Sequence, residues 1–226
     1  MMRPVTKIFC CRVDQYMPGK NFFISTSRIE AFSDGVFAIV ITLLAFQFKV
    51  PKFTYGASLH TNFLELLKVF PNLVGFIFSF FFVAVFWVNH HQLYHSIKEA
   101  NRKLLWYNIH LLFWITMLPF PIAMIGDHPE VEISAMSLGV VLLMSSFAAF
   151  LVRRYSYSTA KLVNEALTED SIQYGLKNNI IAIILNLVAI VAAIFSVYIA
   201  YAIYFIVLAL FAIPQKLERK SSSQTK

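Results

Sequence analysis

Charge is scarce in this sequence. Asp, Glu, Lys and Arg make up 14% of the 226 residues, 58% are hydrophobic, and mean hydropathy is +0.67. Soluble domains run at about 25% charged and about 45–50% apolar, so these proportions exclude a free-standing soluble domain and imply an integral membrane protein. Cysteine is scarcer still. Cys10 and Cys11 are the only two and are adjacent, which excludes a disulfide framework and leaves either two reduced cytosolic thiols or an S-acylated juxtamembrane pair. Met1–Lys20 has no uninterrupted apolar core of signal length, so the first span is expected to serve as its own insertion signal. There is no Gly-rich phosphate loop, nucleophile elbow, HExxH or TVGYG-like filter, and no internal repeat. The six histidines are His60, His90, His91, His95, His110 and His128. His91 and His95 have the i, i+4 spacing that metals use, but no His/carboxylate set completes a site. No enzyme activity, resident metal or cofactor is therefore expected. An intramembrane metalloenzyme and a non-transporting assembly factor remain as rivals.

What the sequence has in abundance is apolar runs. A spanning helix needs about 20 apolar residues, and six candidates are present: 31–48, 69–94, 106–125, 133–152, and two within 180–213. That last stretch is too long for one helix at about 1.5 Å per residue against a core about 30 Å thick. It is expected to fold back near Ser196–Tyr198, its first half starting near Asn178 and Asn179 and its second ending at Pro214. The fold class is thus an all-α membrane protein with a channel or carrier domain over 28–214, an N-terminal tail over 1–27 and a disordered C-terminal tail over 215–226.

Lys and Arg orient the spans, because cytoplasmic loops are enriched in them. The tail through Arg28 carries five. The second loop carries Lys98, Arg102 and Lys103, the fourth Arg153, Arg154, Lys161 and Lys177, and the C-terminal tail four more. The opposite side holds only Lys49, Lys52 and Lys68. Both termini are therefore expected in the cytoplasm, as six crossings require. This bias accounts for most of the +7 net charge. Nucleic acid is not an expected partner, since the positive charge is spread over loops and tails rather than gathered on a basic domain.

The topology brings polar residues from distant segments to one leaflet: Arg28, Ser33 and Asp34 from the first span, Trp87, Asn89, His90 and His91 from the second, Asn108 and His110 from the third. Such groups are costly in a bilayer unless paired, and they usually face the protein interior. Asp34 lies in the first turns of its helix, where the dipole favours an anion, with Arg28 and the histidines as candidate donors; Arg28 reaches it easily only where the chain bends, and pairing between subunits or through the second helix is the alternative. The layer could be a satisfied network that fixes helix packing, the lining of an ion or proton path, or a catalytic site. At about 100° per residue, Gly35, Ile39, Thr42 and Phe46 share a second stripe of the same helix, with Asp34 about 140° away from Ile39. This stripe reads either as ordinary packing or as a narrow, largely apolar seam with one hydroxyl.

The segment "RIEAFSDGVFAIVITLL" resembles the R-x3-FSD signature of the transmembrane protein 175 family of potassium channels. Arg28, Phe32, Ser33 and Asp34 fill the motif without substitution, and "FWVNHH" at the end of the second span fits as well. The resemblance covers about Ser27 to Pro214. It implies a homotetramer of single-repeat subunits whose first helices line the pore, potassium ions and membrane lipids as partners, and a prokaryotic cell membrane as the setting. By matching positions, Ile39 is the implied constriction, Thr42 the hydroxyl one turn on and Phe46 a second apolar layer. The motif residues are implied to hold the pore helix. The alternative is a proton channel or carrier relaying through Asp34, His90, His91 and His110. In two respects the chain departs from expectation: the tail before Ser27 is longer than a single-repeat chain needs, and Phe46 is bulky for its position.

Overall fold

The computed structural model describes residues 25–47, 51–158, 162–163 and 168–212. Most of both expected tails, and Pro214, lie outside the described residues. Among these residues there are eight helices and no strand. They are α1 (Thr26–Ala45), α2 (Leu59–Leu67), α3 (Phe70–His95), α4 (Arg102–Thr116), α5 (Pro119–Asp127), α6 (Glu132–Ser158), α7 (Glu169–Ala193) and α8 (Val197–Ala212). An isolated antiparallel bridge joins Ile97 to Val163. Four helical stretches are long and apolar enough to cross a membrane: Leu59–His95, Arg102–Asp127, Glu132–Ser158 and Glu169–Ala193. Val197–Ala212 is a shorter apolar helix. In α1 the charges of Arg28, Glu30 and Asp34 occupy the first half, and no charged residue follows through Ala45.

Local chemistry sets the boundaries, and it moves several of them from where hydropathy alone puts them. The expected third span, 106–125, is two helices. Pro119 and Pro121 interrupt it, and Pro119 has no N–H to donate back to the turn before it, so α4 closes through Leu118 N–H to the Ile115 carbonyl and α5 restarts at Pro119. The fourth span, expected over 133–152, continues to Ser158. It keeps Arg153 inside the helix because that side chain finds a carbonyl on α7. The fifth starts at Glu169 rather than near Asn178. Thr168 caps it by accepting from the Ser171 N–H, and Glu169 and Asp170 sit in the first turn, where the helix dipole favours acids. The fold-back falls at 194–196, just before Val197 opens α8. The short α2, capped by Ser58, lies in a stretch read as loop.

The densest packing is between α6 and α7, and small residues make it possible. The buried positions of α7 are Ser171, Gly175, Asn179, Ala182, Asn186, Ala189 and Ala193, a repeat of four and three that forms one continuous stripe. Opposite lie Gly139 of α6, where a Cβ would stand 2.5 Å from Ile190, and Ser146, whose hydroxyl accepts from Asn186 Nδ2 at 3.2 Å. Small side chains let two backbones approach closely, the usual basis of helix association in lipid, where no hydrophobic force distinguishes helix from solvent. Tyr204 of α8 reaches into the same layer and donates to the Ala135 carbonyl at 3.0 Å. Against this three-helix block, α3 and α4 carry α1 on the far side.

Candidate pore helix and its polar anchor

α1 has two faces. Ile29, Ser33, Phe37, Val40 and Leu44 are buried, at spacings of 4, 4, 3 and 4, the stripe of a helix seated on its neighbours. On the other side Gly35, Ile39, Thr42 and Phe46 are exposed, Ile39 at 59% and Phe46 at 82%. A Cβ added at Gly35 would meet nothing within 4 Å. The Thr42 hydroxyl donates to the Ile39 carbonyl one turn back at 2.8 Å, so it is satisfied within the helix while its oxygen stays on the exposed face.

The buried stripe is fixed by a chain of hydrogen bonds across three helices. The Ser33 hydroxyl donates to the Ile29 carbonyl at 2.8 Å. Asn108 of α4 donates from Nδ2 to Ser33 Oγ at 2.9 Å. Asn108 Oδ1 lies 2.8 Å from His90 Nε2 of α3, which sets the tautomer with the proton on Nε2 for a neutral ring. Phe37 packs edge-on to the His90 ring at 5.6 Å, and Tyr94 stacks on it at 4.4 Å. Ser33, His90 and Asn108 are all buried, so each group meets the requirement that a polar atom away from water be paired.

Within the subunit Asp34 is bonded to the second span, and to neither Arg28 nor a histidine among the described residues. Its Oδ1 accepts from the Trp87 indole N–H at 2.8 Å, and Trp87 in turn stacks on His91 at 5.9 Å, with His91 stacked on His95 at 6.5 Å. This second cluster lies at the exposed edge of the subunit. Arg28 and Phe32 are exposed as well, and among the described residues Arg28 forms no ion pair with Asp34. Asn89 of α3 bonds outside both clusters. Its Nδ2 donates to the Val85 carbonyl at 2.8 Å and to the Phe211 carbonyl of α8 at 3.3 Å, tying α3 to the end of α8. His110 accepts from the Trp114 indole at 3.0 Å. The structure thus joins Ser33, His90 and Asn108 in one network and Asp34, Trp87 and His91 in a second, and leaves Asn89 and His110 outside both. Phe37 and Tyr94, which frame His90, were not among the sequence candidates. Their signal is positional, since Phe37 follows Ser33 by one turn on the buried stripe and Tyr94 follows His90 by one turn. Among the described residues no group of three or more His, Cys, Asp and Glu side chains is placed to hold a metal.

Comparison with known proteins agrees with this architecture. The family model described as endosomal/lysosomal potassium channel TMEM175 matches residues 28–119, from the start of the motif to the break after α4. A potassium channel of Chryseobacterium sp. (strain P1-3) is 34% identical over 202 residues, covering 88% of this chain and 98% of its own length. The chicken (Gallus gallus) endosomal/lysosomal proton channel TMEM175 is 31% identical over 164 residues, 69% of this chain but 32% of that longer protein. Among solved structures, a Chamaesiphon minutus homologue of the lysosomal potassium-selective channel TMEM175 superposes with a TM-score of 0.72 at 28% identity, covering 84% of this chain and 98% of the other. These relatives are ion channels rather than enzymes. By its identity to the Chryseobacterium protein across almost the whole of both chains, this single-repeat chain belongs to the TMEM175 channel family.

Proposed function

We propose that the chain is the subunit of a potassium channel, a homotetramer in which four copies of α1 surround the pore. The observation that carries the reading is the exposed stripe Gly35–Ile39–Thr42–Phe46 on a helix whose opposite face is fully engaged. Closed cyclic assembly buries the same patch of every copy against the axis. Four Ile39 side chains then form an apolar ring that conducts when dilated and dewets when narrow. Thr42 adds four hydroxyls one turn further on, and Phe46 a second apolar layer. Permeation is passive and modestly selective. The Ser33–Asn108–His90 network and the Asp34–Trp87 bond, with Arg28, Phe32, His91 and Asn89 around them, hold the pore helix rather than contact the ion. Six crossings with both termini in the cytoplasm, in the cell membrane, complete the reading. The channel domain spans 28–214, between the two cytoplasmic tails.

The vertebrate relatives named as proton channels favour a second reading, proton conduction through Asp34 and the histidines. Against it, His90 is bonded to Asn108, His91 is stacked between Trp87 and His95, and His110 is bonded to Trp114. The three rings therefore have separate partners, and among the described residues none is hydrogen-bonded directly to another. Flux through purified protein in liposomes distinguishes the two. An imposed potassium gradient should set the membrane voltage at constant pH. A voltage that ignores potassium and follows the proton gradient would replace the first reading with the second.

A further inference from the structure

The second half of the subunit buries a charge that the pore has no use for. Arg153, in the last two turns of α6, is only 6% exposed. Its Nη1 donates to the Gly175 carbonyl of α7 at 2.8 Å. Gly175 makes the seat, since a Cβ there would stand 2.8 Å from Nη1 and 3.3 Å from the guanidinium carbon. A guanidinium carries five N–H donors and does not deprotonate in proteins. Among the described residues the Gly175 carbonyl is its one hydrogen-bond acceptor, and no carboxylate pairs with the charge.

Arg153 also lines a partly enclosed cavity of about 40 Å³ between α3, α4, α6, α7 and α8, whose remaining polar wall is Asn89, His90, Ser146 and Asn179. Asn179 is 4% exposed, and its Oδ1 has no hydrogen-bond partner. A fixed cation and an unmatched amide thus face one void. At roughly 10–15 Å³ per water-sized centre, that void has room for one small ion with a water beside it. Water alone can satisfy donors, but the cost of holding a cation in a low-dielectric interior is offset chiefly by opposite charge. The two ends of an amide are nearly identical in shape, so Asn179 turned about its last torsion offers an N–H to the same occupant.

We propose that this cavity binds one small monovalent anion of chloride size against the Arg153 guanidinium, as the structural counter-ion of the α6–α7 pair. The test is independent of what the pore conducts. Full-length protein in detergent is exchanged, at constant pH and ionic strength, into chloride, bromide or gluconate, the last too bulky for the cavity. The melting temperature should be higher by about 3 °C in either halide than in gluconate, and Arg153→Met should abolish the difference. Crystals grown in bromide should show an anomalous scattering peak beside Arg153. A wild-type melting temperature equal in all three salts would overturn the proposal, as would a halide effect undiminished in Arg153→Met. Should that variant fail to assemble, the bromide peak in the wild-type protein decides alone, and its absence from the cavity overturns the proposal whatever the melting curves give.

Discussion

Ser33 and Asp34 are adjacent in the chain and held in unlike ways. Ser33 is fully buried and sits in a three-helix network, whereas Asp34 is exposed and its one side-chain hydrogen bond is to Trp87. Successive residues on a helix point about 100° apart, so the motif reaches two environments at once. From the sequence these polar groups are expected at one membrane depth. The sequence does not show which donor reaches which acceptor, because an indole N–H, a guanidinium and an imidazole at the same depth are told apart only by side-chain reach and direction. Trp87 was legible as a member of the layer, and its role as the Asp34 donor was not. Asp34→Ala and Trp87→Phe should each lower the thermal stability of the assembled protein by about 0.5–1.5 kcal/mol. The double variant should be no worse than the more severe single one, since both remove the same bond. Fully additive losses in that cycle would mean that the two side chains act separately.

At the scale of elements, period and length were enough to find the apolar helices but not their ends. Pro119 divides one expected span, and Thr168 with its acidic first turn opens another nine residues before the apolar run expected to begin near Asn178. Both signals are single residues whose effect depends on the backbone bonds they remove or supply. The stripe of small residues on α7 was also present in the sequence, but it is hidden inside a uniformly apolar helix. A period in side-chain size leaves no mark on a reading based on hydropathy. Gly139 tests that packing, because a Cβ there would overlap the Tyr204 hydroxyl and come within 2.5 Å of Ile190. Gly139→Ala should therefore cost about 1–3 kcal/mol through overpacking, read as a lower melting temperature. Gly35→Ala, where a Cβ meets nothing within 4 Å in the subunit, should not lower the stability of the isolated subunit, since Ala is the better helix former. An equal loss at both glycines would place the tight contact elsewhere.

For the whole molecule, the asymmetric placement of Lys and Arg is the basis of the proposed orientation in the membrane, and the exposed stripe of α1 is the basis of the proposed pore axis. The first has a direct test by labelling. A single cysteine introduced at Glu130 in a background with Cys10 and Cys11 replaced should react with a membrane-impermeant thiol reagent in intact cells. The native Cys10 and Cys11 should react only after lysis. Reaction of both from outside, or of neither, would contradict the proposed topology. The second concerns what the account holds most central, that ions pass along α1 through a ring of Ile39. Currents through reconstituted channels carrying Ile39→Asn measure this most directly, with potassium and sodium exchanged on the two sides. A hydrated constriction should raise the total current several-fold and admit sodium, shifting the reversal potential towards zero. Currents of wild-type size with wild-type reversal potential, from a variant that assembles normally, would contradict the account and remove Ile39 from the ion path.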